Sequence, residues 1–197
     1  TMIYMDKKIR VGINGFGRIG RAFFKVAFER DDMEVVAVND LGDVHNLAYL
    51  LQYDTVYRVA HFDVHAEIHE ESQEQYLVIE SDAKSMRVKV IQEKDPSVIP
   101  WGANDVDVVV ESTGLFVAYD KASAHLTGGA KAVVISAPAK KGEDESVHGE
   151  TILLGVNEEK FGTCKVTSNA SCTTNASSPI IAILDEAIGI EKAILNT

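Results

Sequence analysis

Apolar residues fall along this chain in short, nearly unbroken runs, separated by stretches where they recur every three or four positions. Ile9-Arg10-Val11-Gly12-Ile13 opens as a strand, and a glycine-rich turn follows. From Arg18 to about Arg30 the spacing is helical, with Phe23, Phe24, Ala27 and Phe28 on one face. Glu34 to Asn39 is almost continuous in valine and alanine, the pattern of a strand covered on both faces. Asp43 to Gln52 predicts a short helix. Between about Ala60 and Val90 the pattern changes: Tyr76–Ile79 and Met86–Val90 predict antiparallel strands with solvated faces. The acidic stretch Glu67 to Glu74 predicts a solvated hairpin tip rather than a binding site. Val106–Val110, a helix around Tyr119–Thr127, and Ala132–Ile135 resume the parallel pattern. Lys140–Glu150 reads as a surface loop and Thr151–Gly155 as a strand. Ser171–Gly189 reads as a helix with an apolar stripe of Ile180, Ile181, Leu184 and Ile188, bent at Pro179, whose ring removes a backbone bond. This alternation predicts an α/β fold, a doubly wound, mostly parallel sheet with an antiparallel hairpin inserted.

Composition narrows the function classes. Hydrophobic residues at 46% and charged residues at 25% are those of an ordinary folded domain. A net charge of −11, without clustered Lys and Arg, argues against a nucleic-acid surface. No apolar run reaches the roughly 20 residues that a membrane-spanning helix needs. Residues 1–8 carry no apolar signal segment, and the only cysteines are Cys164 and Cys172. A reduced, cytoplasmic setting is therefore expected, with no disulfide framework and no metal site. Cys164 has neither a base nor a cap pattern beside it and reads as incidental.

Gly15-Phe16-Gly17-Arg18-Ile19-Gly20 fits the spacing G-x-G-x-x-G, and here it follows a strand and opens a helix, as a dinucleotide site requires. Gly15 permits the tight turn, Gly17 lets backbone approach a pyrophosphate, and Gly20 lets helix and strand pack closely. The helix N-terminus would face the phosphates with unpaired N–H groups. Asp40 ends the second strand and can accept hydrogen bonds from both ribose hydroxyls. It would repel a 2′-phosphate, and Leu41 offers no compensating cation, so NAD is expected over NADP. The plainer readings are a glycine turn without ligand and, for Asp40, a turn or cap residue ahead of Asp43.

Ser168-Asn169-Ala170-Ser171-Cys172-Thr173-Thr174-Asn175 leads into the last helix with Cys172 in its first turn. The helix dipole favours a thiolate there, so Cys172 could be a nucleophile, with Ser171 and Thr173 binding an anionic substrate group. The plainer reading, which the residues alone favour, is that Cys172 is a small packing residue and the hydroxyls are helix caps. Both readings stay open.

Taken together, these motifs closely resemble the phosphorylating glyceraldehyde-3-phosphate dehydrogenase family. The resemblance runs in order from Lys8 onward, through Ile13–Arg21, Asn39-Asp40-Leu41, Tyr53-Asp54, Gln92–Pro96, Glu111-Ser112-Thr113-Gly114, Gly128–Lys131, Ile135–Pro138, Gly155-Val156-Asn157 and the cysteine octet, which is highly specific. It implies a Rossmann-type NAD-binding domain over residues 1–170 and, over 171–197, the first helix of a catalytic domain. It implies attack of the Cys172 thiolate on the aldehyde of glyceraldehyde 3-phosphate, hydride transfer to NAD, and release of the Cys172 thioester by inorganic phosphate as 1,3-bisphosphoglycerate. Carried over position by position, it assigns Asn14, Gly15, Gly17, Arg18, Ile19, Gly20, Asp40, Lys94, Thr113, Gly114 and Ser136 to the cofactor, Cys172 to catalysis, and Ser171 and Thr173 to substrate. It also implies a homotetramer, and a catalytic histidine, phosphate-binding groups and a C-terminal helix that would follow Thr197. The chain as read is thus expected to hold the nucleophile without its base and to leave apolar surface uncovered. A sibling enzyme acting on erythrose 4-phosphate shares the cysteine motif, and an inert NAD-binding module is the reading from another class. Departures from the family pattern are Ala176 where a second cysteine is usual, Arg58 for a glycine, Lys94 for a common arginine, and longer segments around Glu67–Ser85 and Lys140–Glu150.

Overall fold

A computed structural model describes residues 7–196; residues 1–6, part of the stretch expected to lack a signal segment, and residue 197 lie outside the described range. The runs of Val and Ile become strands β1 (Ile9–Asn14), β2 (Met33–Asn39), β3 (Tyr53–Asp54), β4 (Arg58–Val59), β5 (Asp63–Ile68), β6 (Gln75–Glu80), β7 (Ser85–Ile91), β8 (Val108–Glu111), β9 (Ala132–Ile135), β10 (Gly149–Thr151) and β11 (Val166–Ser168). The helical stretches become α1 (Arg18–Phe28), α2 (Val44–Gln52), α3 (Tyr119–Ala122), α4 (Ala124–Thr127) and α5 (Cys172–Ile188). Nine strands form one sheet in the order β10-β11-β9-β8-β1-β2-β7-β6-β5. Among the described residues, β6 alone runs against the others. The expected antiparallel region is present, and it continues this sheet rather than standing apart, because β7 pairs in parallel with β2.

Alternate residues of the strands feed two cores, one on each face of the sheet. One holds Val11, Ile13, Val35 and Val110 with Phe24, Ala27 and Phe28 of α1 and Leu47, Ala48 and Leu51 of α2. The other holds Val109, Val133, Ile135 and Val166 with Trp101, Ile99 and Ala122. Burying each such large side chain stabilises the fold by about 1.5–3 kcal/mol. Gly12 sits where β1 meets the indole: a Cβ there would come within 2.6 Å of Trp101.

Three boundaries differ from the sequence pattern. The strand expected at Thr151–Gly155 forms at Gly149–Thr151, because Ile152 and Leu153 bury in a turn closed by Asn157, whose side chain accepts from Leu153 N and donates to Thr151 O. The helix around Tyr119–Thr127 is two short turns meeting at Ser123, whose hydroxyl donates to the Asp120 carbonyl. The strand expected at Val106–Val110 begins at Val108, since Val106 N bonds back to Trp101 O. At the departure from the family's usual glycine, Arg58 takes a left-handed φ of 64°, a backbone conformation that glycine adopts at less cost.

Asp107 fixes the start of β8 to β1 and to the following strand. Its Oδ1 accepts from Lys131 Nζ at 2.5 Å and its Oδ2 from Arg10 N at 3.0 Å. The Lys131 ammonium, then the Arg10 amide, hold its carboxyl below the ordinary aspartate value. A depressed folded pKa stabilises the fold fully above the unfolded value of about 3.9, and this is lost as pH falls through the lower folded value. Asp107→Asn is therefore expected to cost about 1 kcal/mol at neutral pH, because Lys131 is exposed and the pair partly screened. Urea unfolding at stepped pH checks this: the gap from the unsubstituted protein should close in acid, and a gap independent of pH would refute the assignment.

Candidate functional site

Where β1 ends, the sheet changes hands: the chain leaves β1 toward β2 on one side and returns later through β8 and β9 on the other. Open α/β sheets bind ligands in the crevice at such a point, outside the carboxyl ends of the strands. Here that crevice is a cleft of about 480 Å³, within the range of small-molecule sites. Of the expected cofactor residues, Asn14, Gly15, Gly17, Asp40, Lys94 and Thr113 line it. Arg18, Ile19 and Gly20 form the adjoining first turn of α1, Gly114 follows Thr113, and Ser136 follows the next strand, β9; none of these five is in the lining itself.

The glycines act as the turn geometry demands. Gly15 has φ of +89°, and a Cβ on it would stand 2.7 Å from Thr113 N. A Cβ on Gly20 would clash with the Gly15 carbonyl oxygen. At Gly17, the residue before α1, nothing lies within 4 Å of the Cβ position, so a ligand can approach the backbone there. No side chain caps α1, which leaves its first amides available to an anion. The turn is braced from below by Arg21, whose Nη1 donates to Phe16 O at 2.8 Å; burial lowers its pKa, with Asp54 opposing that shift.

Asp40 is committed at its back and open at its front. Its Oδ2 accepts from Phe16 N at 2.7 Å and its Oδ1 from Gly42 N at 2.9 Å. It is thus the turn residue of the plainer reading and also tied to the glycine loop; each oxygen keeps a further lone pair for a donor in the cleft. Asp43, not Asp40, caps α2, accepting from Asn46 N. The cleft also includes Asn39, Glu93, Ser112, Leu115 and Phe116, which sequence reasoning assigned no role. An available signal was the pair of apolar residues straight after Gly114; Leu115 is 74% exposed.

The cysteine octet turns β11 into α5. Ala170, buried, takes a left-handed φ of 56° to make the corner. Ser168 Oγ donates to Ala137 O and accepts from Ala170 N, while Asn175 Nδ2 clasps the carbonyls of Asn169 and Ser171. Ser171 is the helix cap, accepting from Thr174 N at 3.0 Å, so part of its hydroxyl capacity is already used. Cys172 begins the helix and is exposed, with no place in the buried core of the described residues; Cys164 is half-buried with its thiol on Val166 O. The helix runs through Pro179 without interruption and has no buried residue, its stripe of Ile180, Ile181, Leu184 and Ile188 lying open.

Sheet, switch point, glycine turn and acidic strand end together define a dinucleotide-binding protein of the Rossmann class. The family model described as "Glyceraldehyde 3-phosphate dehydrogenase, NAD binding domain" matches residues 9–119. Similar relatives include "Glyceraldehyde-3-phosphate dehydrogenase 2" of Streptomyces avermitilis, 48% identical over 192 residues, and "Glyceraldehyde-3-phosphate dehydrogenase" of Streptomyces coelicolor, 47% identical over 192 residues. Each alignment covers 96% of this chain and 52% of the relative. A Geobacillus stearothermophilus enzyme of the same name is 46% identical over 191 residues, with 96% and 52% covered. This chain belongs to the glyceraldehyde-3-phosphate dehydrogenase family, with NAD as the cofactor of its matched domain. It spans about half the length of these curated relatives. Among the described residues, no helix is long and apolar enough to cross a membrane, and no group of three or more His, Cys, Asp or Glu could hold a metal ion.

Proposed function

We propose that this chain supplies the NAD site and the nucleophilic thiol of a phosphorylating glyceraldehyde-3-phosphate dehydrogenase. The observation that carries the reading is a shared edge. The glycine turn after β1, Asp40 after β2, Thr113 after β8 and Cys172 after β11 all follow the carboxyl ends of strands running the same way. From β1 to β11 is three strand spacings, about 14 Å.

In this reading Asp40 accepts the ribose hydroxyls and the open amides of α1 face the pyrophosphate. The Cys172 sulfur, at the start of α5, attacks as thiolate the aldehyde carbon of glyceraldehyde 3-phosphate. Bound NAD supplies the acceptor for the hydride leaving that carbon. The resulting Cys172 thioester stays reactive toward an oxygen of inorganic phosphate, which displaces the thiolate and leaves as 1,3-bisphosphoglycerate. Thr173 and the uncommitted side of the Ser171 hydroxyl serve the substrate anion. The reading includes a unit boundary at residue 171, supported by the absence of buried residues in α5. It also includes a cytoplasmic setting and a homotetramer for the whole enzyme.

Calorimetry on the folded chain is expected to show saturable NAD binding and weaker NADP binding; no uptake of NAD would overturn the cofactor reading. In a protein that joins this chain to the remaining length of its relatives, turnover with glyceraldehyde 3-phosphate, NAD and phosphate is expected, and to vanish in Cys172→Ser. A preference for erythrose 4-phosphate would move the assignment to the sibling enzyme. Binding of NAD without turnover of either aldehyde would leave a cofactor-binding module.

A further inference from the structure

Asn14, Asn39 and Glu111 are the last residues of three adjacent strands, β1, β2 and β8, and they stand in register: Asn14 opposite Asn39 on one side and opposite Glu111 on the other. All three are buried, at 1%, 5% and 1% exposure, directly under the cleft that Asn14 and Asn39 line. Buried polar groups of this kind persist only when fully partnered.

The partners fix every orientation in the row. Trp101 Nε1–H can only donate, and it meets His125 Nδ1 at 3.0 Å, so the proton of His125 lies on Nε2. That Nε2 donates to Glu111 Oε2 at 2.9 Å. At the far end, Asn39 pairs with the backbone of Glu93 in both senses: Oδ1 accepts from Glu93 N at 2.8 Å and Nδ2 donates to Glu93 O at 2.9 Å. Asn39 Nδ2 also donates to Asn14 Oδ1 at 2.7 Å, which turns Asn14 Nδ2 toward Glu111 Oε2 at 2.5 Å. The other Glu111 oxygen, Oε1, accepts from Thr113 N at 2.8 Å and Thr113 Oγ1 at 2.5 Å. Thr113 Oγ1 in turn accepts from Leu115 N at 3.0 Å. Four donors thus converge on two carboxylate oxygens, the pattern of an acceptor-only group. No neutral side chain of the same shape satisfies it.

We propose that Glu111 is a positioning residue of the dinucleotide site. It holds Thr113 and Leu115 on one wall of the cleft directly, and Glu93 and Lys94 on the other through Asn14 and Asn39, so that both walls are set before the cofactor arrives. Preorganised walls spare the bound state the ordering of these loops. The proposal rests on the cleft being the NAD site.

Glu111→Gln keeps the shape but turns an NH₂ toward two other donors. In protein shown to be folded by circular dichroism, it is expected to weaken NAD binding about 10-fold or more, the effect of losing bonds to a charged acceptor. Adding Thr113→Val to Glu111→Gln should cost little more, since Thr113 is already released. In the ligand-free protein, the amide resonances of Thr113 and of Glu93, on opposite walls, should both move. NAD affinity of Glu111→Gln within about 2-fold of the unsubstituted chain, or losses that simply add, would overturn the proposal. If Glu111→Gln does not fold, His125→Gln, which keeps a donor for Glu111, should retain NAD affinity that His125→Leu loses; equal losses would overturn it. A folded chain that binds no NAD defeats the reading of the cleft, and the amide resonances then decide the row alone. An unmoved Glu93 resonance in Glu111→Gln, or in His125→Leu, would end it.

Discussion

Gly20→Ala is expected to lower the melting temperature by roughly 5–10 °C, about 2–3 kcal/mol for a chain of this size. In an exposed helix the same change would stabilise by about 1 kcal/mol, because alanine is the better helix former. The sign reverses here because the new methyl would clash with the Gly15 carbonyl oxygen, closer than any real Cβ contact allows. That oxygen cannot retreat freely, since it accepts from Ser112 Oγ at 2.7 Å. The methyl would also press on Ile13 Cγ2 at 3.1 Å in the core beneath β1. Relief requires the glycine turn to lift from α1, which would also spoil the pyrophosphate approach at Gly17. Thermal unfolding and NAD calorimetry together check this. A variant as stable as the unsubstituted protein, or more so, would mean that the close approach of helix and turn is wrong.

Asp40→Ala is expected to weaken NAD binding by about 100-fold, or about 2.7 kcal/mol. Two losses contribute. The ribose hydroxyls lose a charged acceptor, and Phe16 N and Gly42 N lose the oxygens that hold the glycine turn to the end of β2. The second loss is local, so the melting temperature should change far less than in Gly20→Ala. NADP should lose less affinity than NAD, because the carboxylate that repels a 2′-phosphate has gone. Titration of both cofactors against the variant tests this. An unchanged ratio of the two affinities would remove Asp40 from the ribose end of the site.

Local patterning explains why these two residues were legible in the sequence. The strand–turn–helix from Ile9 to Phe28 and the helix starting at Cys172 are specified by neighbours within a few positions: glycine spacing, apolar periodicity, and a serine cap at Ser171. The doubly wound sheet was legible for the same reason, since continuous valine runs belong to strands covered on both faces. What stayed hidden depends on partners far along the chain. Asn14 lines the cleft, and its side chain also bonds Glu111, 97 positions away, and Asn39. Glu111 was visible only as part of a motif, and His125 as a helix residue. A carboxylate ending an all-valine central strand was the one available signal, because such a group must find donors. The two misplaced strand starts and the broken helix have the same origin: an Asn157 or Ser123 side chain, or the Trp101 carbonyl, claimed backbone groups that propensity would have given to regular structure.

The left-handed Ala170 corner joins the sheet to a helix that no core grips. Among the described residues, a serine cap and an asparagine clasp hold the start of this helix, so its first turn is expected to open more readily than the strands of the sheet. The reactivity of the sulfur and the durability of the fold are consequently separate properties. Hydrogen exchange should find the amides around residue 172 opening long before those of β1.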